Sequence, residues 1–152
     1  MAEKILLVED EEKLARMVEL ELQYEGYQVD KAFDGRTGLD RALSGEYDLV
    51  LLDIMMPQMD GFDVLKVMRC YSWLDEIPVI MISAAKDTAN IERAYDLGVA
   101  DYMRRPFERV MVLRQVQNVL MLYAKQKRLT RLVTDQAVSY THLRAHETSQ
   151  DL

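Results

Sequence analysis

Five short apolar runs recur along the chain, each followed by a stretch whose apolar residues fall three and four apart. That alternation restricts the fold to a wound α/β sheet. Lys4 to Val8 reads as a buried strand, and Leu14, Met17, Val18 and Leu22 fall on one face of a helix ending near Gly26. Tyr27 to Phe33 alternates as a weaker, edge-like strand, and Gly35 to Leu43 makes a short helix closed by Gly45. Asp48 to Asp53 is the third strand; Leu49, Val50, Leu51 and Leu52 leave it no polar face, so helices are expected on both sides.

A loop with Pro57 and Gly61 then leads into a helix through Val64, Leu65 and Met68. Ile77 to Ile82 reads as a fourth strand entered through Pro78, because proline fits a strand only at its opening. Asp87 is placed to cap a helix over 88–97 that stops at Gly98. Ala100 to Met103 makes a short fifth strand, and a long last helix starts around Phe107. Right-handed crossovers between parallel strands favour a three-layer, doubly wound, five-stranded sheet in the order 2-1-3-4-5. In such a sheet ligands gather at the carboxyl ends of strands 1 and 3.

Carboxylates stand at those two ends: Glu9 and Asp10 after the first strand, Asp53 at the end of the third. Converging acids repel one another unless a cation or a proton intervenes, and a hard divalent ion such as Mg2+ suits an all-oxygen donor set. An acid at a strand end is more often a solvated loop residue, so no single one decides the matter. Ser83 at the end of the fourth strand and Arg105 after the fifth bring a hydroxyl and a cation to the same crevice. Nucleophilic carboxylate, metal, hydroxyl and cation together suit phosphoryl transfer, which is mainly positioning and charge neutralisation. There is no glycine-rich phosphate loop, so a nucleotide is not the expected donor.

Four segments carry a family resemblance: Leu6-Leu7-Val8-Glu9-Asp10-Glu11, the stretch from Leu51-Leu52-Asp53 through Pro57 to Asp60-Gly61, Pro78 to Ala84, and Gly98 to Phe107. In that order and spacing they resemble the response-regulator receivers of two-component signalling, CheY-like proteins with a flavodoxin-like fold, over about residues 3 to 120. The resemblance implies that Asp53 is the phosphoacceptor and that Glu9 and Asp10 form the acidic pair, with Asp10 the better direct ligand of Mg2+. It also implies that the Met55 backbone carbonyl joins the metal, that Ser83 binds the phosphoryl group, and that Tyr102 is a switch aromatic turning inward when Ser83 moves. Where the family usually has lysine, this chain has Arg105. Charge is kept, but a planar fork replaces a compact ammonium, so altered activation or phosphate lifetime is expected.

By the same resemblance the donor partner is a sensor histidine kinase or phosphotransfer protein, and the switched surface is helix 4, strand 5 and helix 5. A homodimer through that surface or through the helical extension stays open. The protein would be a signalling switch rather than an enzyme, catalysing only its own phosphorylation and dephosphorylation. A rival reading is a magnesium-dependent phosphatase with an aspartyl-phosphate intermediate. It needs an acid two residues after Asp53, where Met55 stands. A phosphorylation-independent interaction module is the other alternative, and the acidic triad argues against it.

The net charge of −7 is unevenly spread: residues 1–103 carry 10 basic against 22 acidic side chains, residues 104–137 carry 8 against 2. A basic helix face is usually just solvated, and no aromatic platform or recognition-helix pattern accompanies this one, so direct nucleic-acid binding is not expected. No segment has the apolar length of a membrane span or the pattern of a signal peptide, so a cytoplasmic location is expected. Cys70 is alone and reads as a half-buried helix residue.

Three regions follow: a receiver over 1–120, a continuation of the last helix over 121–137, and a tail over 138–152. Leu113, Val116 and Leu120 are expected to cover the core, after which Val119, Leu122, Gln126, Leu129, Val133 and Gln136 repeat as a heptad seam. A solvated extension and a dimerising coiled coil suit that seam equally, and the continuation resembles receivers joined to HD or GGDEF output domains. The segment Val138 to Thr148 breaks the periodicity and resembles a translated sequencing adapter, so a non-native tail and a missing output region are expected. His142 and His146 lie in it, without the further ligands that a metal site needs.

Overall fold

The computed structural model describes residues 2–84, 88–105 and 108–151, with side chains described as far as Val133. The chain divides into two units, residues 1–120 and 121–152. In the first, strands β1 (Lys4–Val8), β2 (Gln28–Ala32), β3 (Leu49–Asp53), β4 (Val79–Ala84) and β5 (Asp101–Arg105) form one parallel sheet in the order β2-β1-β3-β4-β5. Helices α1 (Glu12–Tyr24), α2 (Gly35–Ala42), α3 (Gly61–Cys70) and α4 (Thr88–Leu97) alternate with the strands, and α5 (Arg109–Asp151) follows. This is the expected order and fold class.

β3 sits at the centre, and all five of its residues are buried. Each buried Leu or Val there stabilises the fold by about 1.5–3 kcal/mol. Alternation then sorts the core: Leu6, Val8, Val50, Leu52, Val79 and Met81 pack with Leu39, Phe62, Leu65, Met68 and Ala94 from α2, α3 and α4. β2 is an edge strand, and its first residues are only partly covered, as its weaker apolar pattern predicts.

Several boundaries differ from the expectation. β4 begins at Val79, because Pro78 has no N–H to give the sheet and Ile77 N–H instead closes the one-turn 3-10 helix Trp73–Asp75 on the Trp73 carbonyl. β5 runs to Arg105 rather than stopping at Met103, since Arg104 and Arg105 find register partners in Ser83 and Ala84. α3 starts on a reciprocal cap between Asp60 and Asp63 and ends at Cys70, which is exposed rather than half-buried. The proposed cap Asp87, and Pro106 and Phe107, lie outside the described residues.

The core face of α5 is Val112, Val116 and Val119. Leu113 and Leu120 are only half-buried, so Val119 belongs to the core and not to the seam beyond it. In the second unit Leu122, Leu129, Leu132 and Val133 are exposed. The backbone there is helical through Asp151, and the side chains of Gln136, His142 and His146 are outside the described residues. No helix among the described residues is long and apolar enough to cross a membrane.

Candidate functional site

The parallel register places the ends of β1, β3 and β4 side by side, with Val8 beside Leu52 and Asp53 beside Ile82. Glu9 follows β1 directly, and Asp10 comes next. Their carboxylates and that of Asp53 lie within 4.8 Å of one another. Glu9 and Asp53 are each 1% exposed, whereas Asp10 is exposed at the mouth. The loop after β3 is drawn in tightly: Gly61 N–H donates to the Ile54 carbonyl (3.0 Å), and a Cβ at Gly61 would collide with the Asp53 carbonyl oxygen. In the same loop Gln58 adopts a left-handed φ of 66°, a conformation its sequence does not announce.

Two backbone amides face the acids. Met55 N–H donates to Asp53 Oδ1 (3.2 Å), and Glu11 N–H donates to Glu9 Oε1 (3.3 Å). Arg105, half-buried at the end of β5, reaches the pair from the other side. Its Nη2 is bonded to Glu9 Oε2 and stands 3.2 Å from Asp53 Oδ2. That second approach lacks hydrogen-bond geometry, for Asp53 Oδ2 and Arg105 Nε are both buried without a hydrogen-bond partner among the described residues. The spacing of motifs puts Arg105 in the crevice, but only the fold reveals that it binds Glu9.

The electrostatics follow from two buried acids sharing one guanidinium. Burial first, then the Glu9 charge, push the Asp53 carboxyl up to about 7 against the pull of Arg105 and the Met55 amide. Burial likewise raises Glu9, with Arg105 opposing it. For Arg105, burial works against the charged form, but the charges of Asp53 and Glu9 outweigh it and raise its pKa further. Among the described residues the site has more negative charge than its cation Arg105 neutralises. An all-oxygen set of this kind fits a hard divalent ion.

Ser83, buried in β4, donates its hydroxyl to the Ala84 carbonyl (3.0 Å). Tyr102 is buried in the core cluster, opposite Met81 in the register. The Met55 side chain is exposed; what faces the acids is its backbone.

The family model described as "Response regulator receiver domain" matches residues 5–117. The response regulator ArlR of Staphylococcus saprophyticus is 42% identical over 117 residues, which cover 77% of this chain and 52% of that protein. ArlR of Staphylococcus aureus is 41% identical over the same length. The chain thus spans about half the length of the curated relatives it matches. Among solved structures, the chemotaxis protein CheY4 of Vibrio cholerae is similar with a TM-score of 0.73 and 29% identity, covering 78% of this chain and 99% of that one. A CheY-like receiver from Methanospirillum hungatei has a TM-score of 0.77 at 23% identity over 83% of this chain and 99% of its own, a likeness of fold.

Proposed function

This chain belongs to the response-regulator receiver family of phosphorylation-dependent switches, and from that membership we propose that Asp53 accepts the phosphoryl group. The observation that carries the reading is the Asp53 carboxylate itself. It is buried at the end of the central strand beside two further acids, with Oδ2 lacking a hydrogen-bond donor among the described residues.

Receivers of this family take the phosphoryl group from histidine kinases or phosphotransfer proteins, so the donor is a phosphorylated imidazole. An Asp53 carboxylate oxygen attacks phosphorus and the P–N bond breaks. The imidazole nitrogen keeps the electron pair and takes a proton. Oδ2, near Arg105 but without a hydrogen-bond donor among the described residues, is the attacker, because Oδ1 already accepts from Met55 N–H. A carboxyl held near 7 is partly protonated at neutral pH and then a poor nucleophile, so added positive charge is needed to keep it ionised.

Glu9, Asp10, Asp53 and the Met55 carbonyl are the groups that would hold Mg2+, with exposed Asp10 the readiest direct ligand. When bound, the ion supplies charge neutralisation for Asp53 and for the phosphoryl oxygens. Arg105 provides a second cation at the same carboxylates. Ser83 leaves the Ala84 carbonyl to donate to a phosphoryl oxygen, and Tyr102, the switch aromatic, here already in its buried position, couples that move to the surface of α4, β5 and α5. Switching is a population shift rather than turnover.

The exposed Leu122, Leu129 and Val133 of the second unit suit a helix seam with a second copy, to be tested by sedimentation of the chain with and without Leu129→Asp. The acidic body of residues 1–103 favours a switch without direct nucleic-acid contacts. Incubation with acetyl phosphate and Mg2+, read by intact mass, tests the central claim. A stable single modification of the wild type that Asp53→Asn abolishes is expected. Continuous release of phosphate favours an enzyme, and no modification favours an inert module. Arg105→Lys in the same assay is expected to change the phosphate lifetime; equal lifetimes would show that the arginine is a silent replacement.

A further inference from the structure

Arg105, half-buried, is seated poorly for a guanidinium that meets two buried acids. A well-made arginine–carboxylate pair uses two nitrogens on two oxygens. Here the single Nη2 serves both Glu9 Oε2 and Asp53 Oδ2, the latter at 3.2 Å without hydrogen-bond geometry, while buried Nε has no acceptor among the described residues. Glu9 and Asp53, both 1% exposed, need positive charge whether or not an ion is bound. The guanidinium supplies it at the same Glu9 carboxylate that an ion would use.

We propose that Arg105 is a tethered competitor of the divalent cation, seated on Glu9 in the metal-free protein and leaving it when the ion binds. The inference rests on the reading of Glu9, Asp10 and Asp53 as a cation site. Its consequence is a raised threshold of cation concentration for loading the site. A carboxylate that accepts the guanidinium is less available as a ligand, directly or through an ordered water. Glu9 is the group that ties the two events together, since among the described residues it alone makes the full hydrogen bond to Arg105.

The test is Mg2+ binding by calorimetry on the wild type, Arg105→Gln, Arg104→Gln, Glu9→Gln and the Glu9→Gln/Arg105→Gln double variant, with folding checked by circular dichroism. Arg105→Gln is expected to bind Mg2+ about tenfold more tightly, and Arg104→Gln, which removes an equal charge from the exposed neighbouring residue, within about twofold of the wild type. In the Glu9→Gln background the gain from Arg105→Gln is expected to shrink below about threefold, because there is no longer a seat to compete for. Unchanged or weaker binding by Arg105→Gln overturns the competition while leaving the cation site standing. So does a gain that persists undiminished without Glu9. No binding by any form overturns the cation site itself and the competition with it. Nitrogen-15 spectra of the wild-type arginine side chains give an independent reading: the Arg105 Nε–H resonance moves as Mg2+ saturates. A resonance that stays in place overturns the proposal.

Discussion

Two buried carboxylate clusters sit on this one sheet, and they are charged in opposite ways. Glu19 on α1 is met by two cations, Arg16 at 2.7 Å and Lys31 of β2 at 3.1 Å. Burial pushes its carboxyl up, but the hydrogen bonds and charges of Arg16 and Lys31 more than offset this and leave it below the usual range. At the ends of β1 and β3 the ratio is inverted: Glu9 and Asp53 share the single guanidinium of Arg105, and Asp53 is pushed up to about 7. One cluster is complete in itself, and water reaches it through Arg16, whose side chain is 61% exposed. The other is short of positive charge where solvent supplies little. The difference teaches that burial of acids alone does not mark a functional site; the mark is a charge balance that the chain's own residues leave open.

The comparison breaks most visibly with metal. Mg2+ at about 100 times its dissociation constant is expected to raise wild-type stability by about 2.7 kcal/mol in urea titrations, whereas Asp53→Asn loses most of that gain. A full gain in Asp53→Asn would place the ion elsewhere. Without metal, Asp53→Asn is expected to stabilise the protein by about 2 kcal/mol at pH 8, since it removes a buried charge in excess.

The pH dependence follows from the signs. Asp53 holds its proton more tightly folded than unfolded, so its contribution to stability is fully present below about 4, its value in the unfolded chain, and is lost as pH rises to about 7. The wild type without metal should therefore fall relative to Asp53→Asn across that window, as measured by urea unfolding at a series of pH values. Glu19 behaves in reverse. Its contribution is present at neutral pH and disappears as pH falls through its lowered value.

Glu19→Gln is accordingly expected to destabilise the protein at pH 7 by about 1 kcal/mol, a moderate effect because solvent screens Arg16. A stabilising Glu19→Gln would erase the contrast between the clusters. The exposed pair of Arg36 and Asp40 on α2, at 3.8 Å, sets the baseline: Asp40→Asn should change stability by less than about 0.5 kcal/mol.

Much of the architecture was legible from residue pattern alone, because each strand's apolar run and each helix's three-four spacing is a local property. The five elements of each kind, the strand order and the arrival of Glu9, Asp10, Asp53, Ser83 and Arg105 at one edge all follow from it together with crossover handedness. Boundaries were less legible where hydrogen bonding crosses between segments: β5 is lengthened by its partners on β4, and β4 is shortened by Pro78 and the turn at Trp73. The core face of α5 also shifted by one residue, to Val112 and Val119, because apolar residues occupy neighbouring positions on that helix and only the packed sheet selects among them.

Within the site the division is sharper. The sequence by itself determined which residue types meet there, since each lies at a strand end and the topology brings the strand ends together. Tertiary structure alone decided how they pair. That Arg105 bonds Glu9 and only approaches Asp53, that Asp53 Oδ2 has no hydrogen-bond donor among the described residues, and that Glu19 is neutralised by Lys31 of another element are all distances across the fold. Charge interactions depend on separation and burial, and neither is a property of positions along the chain.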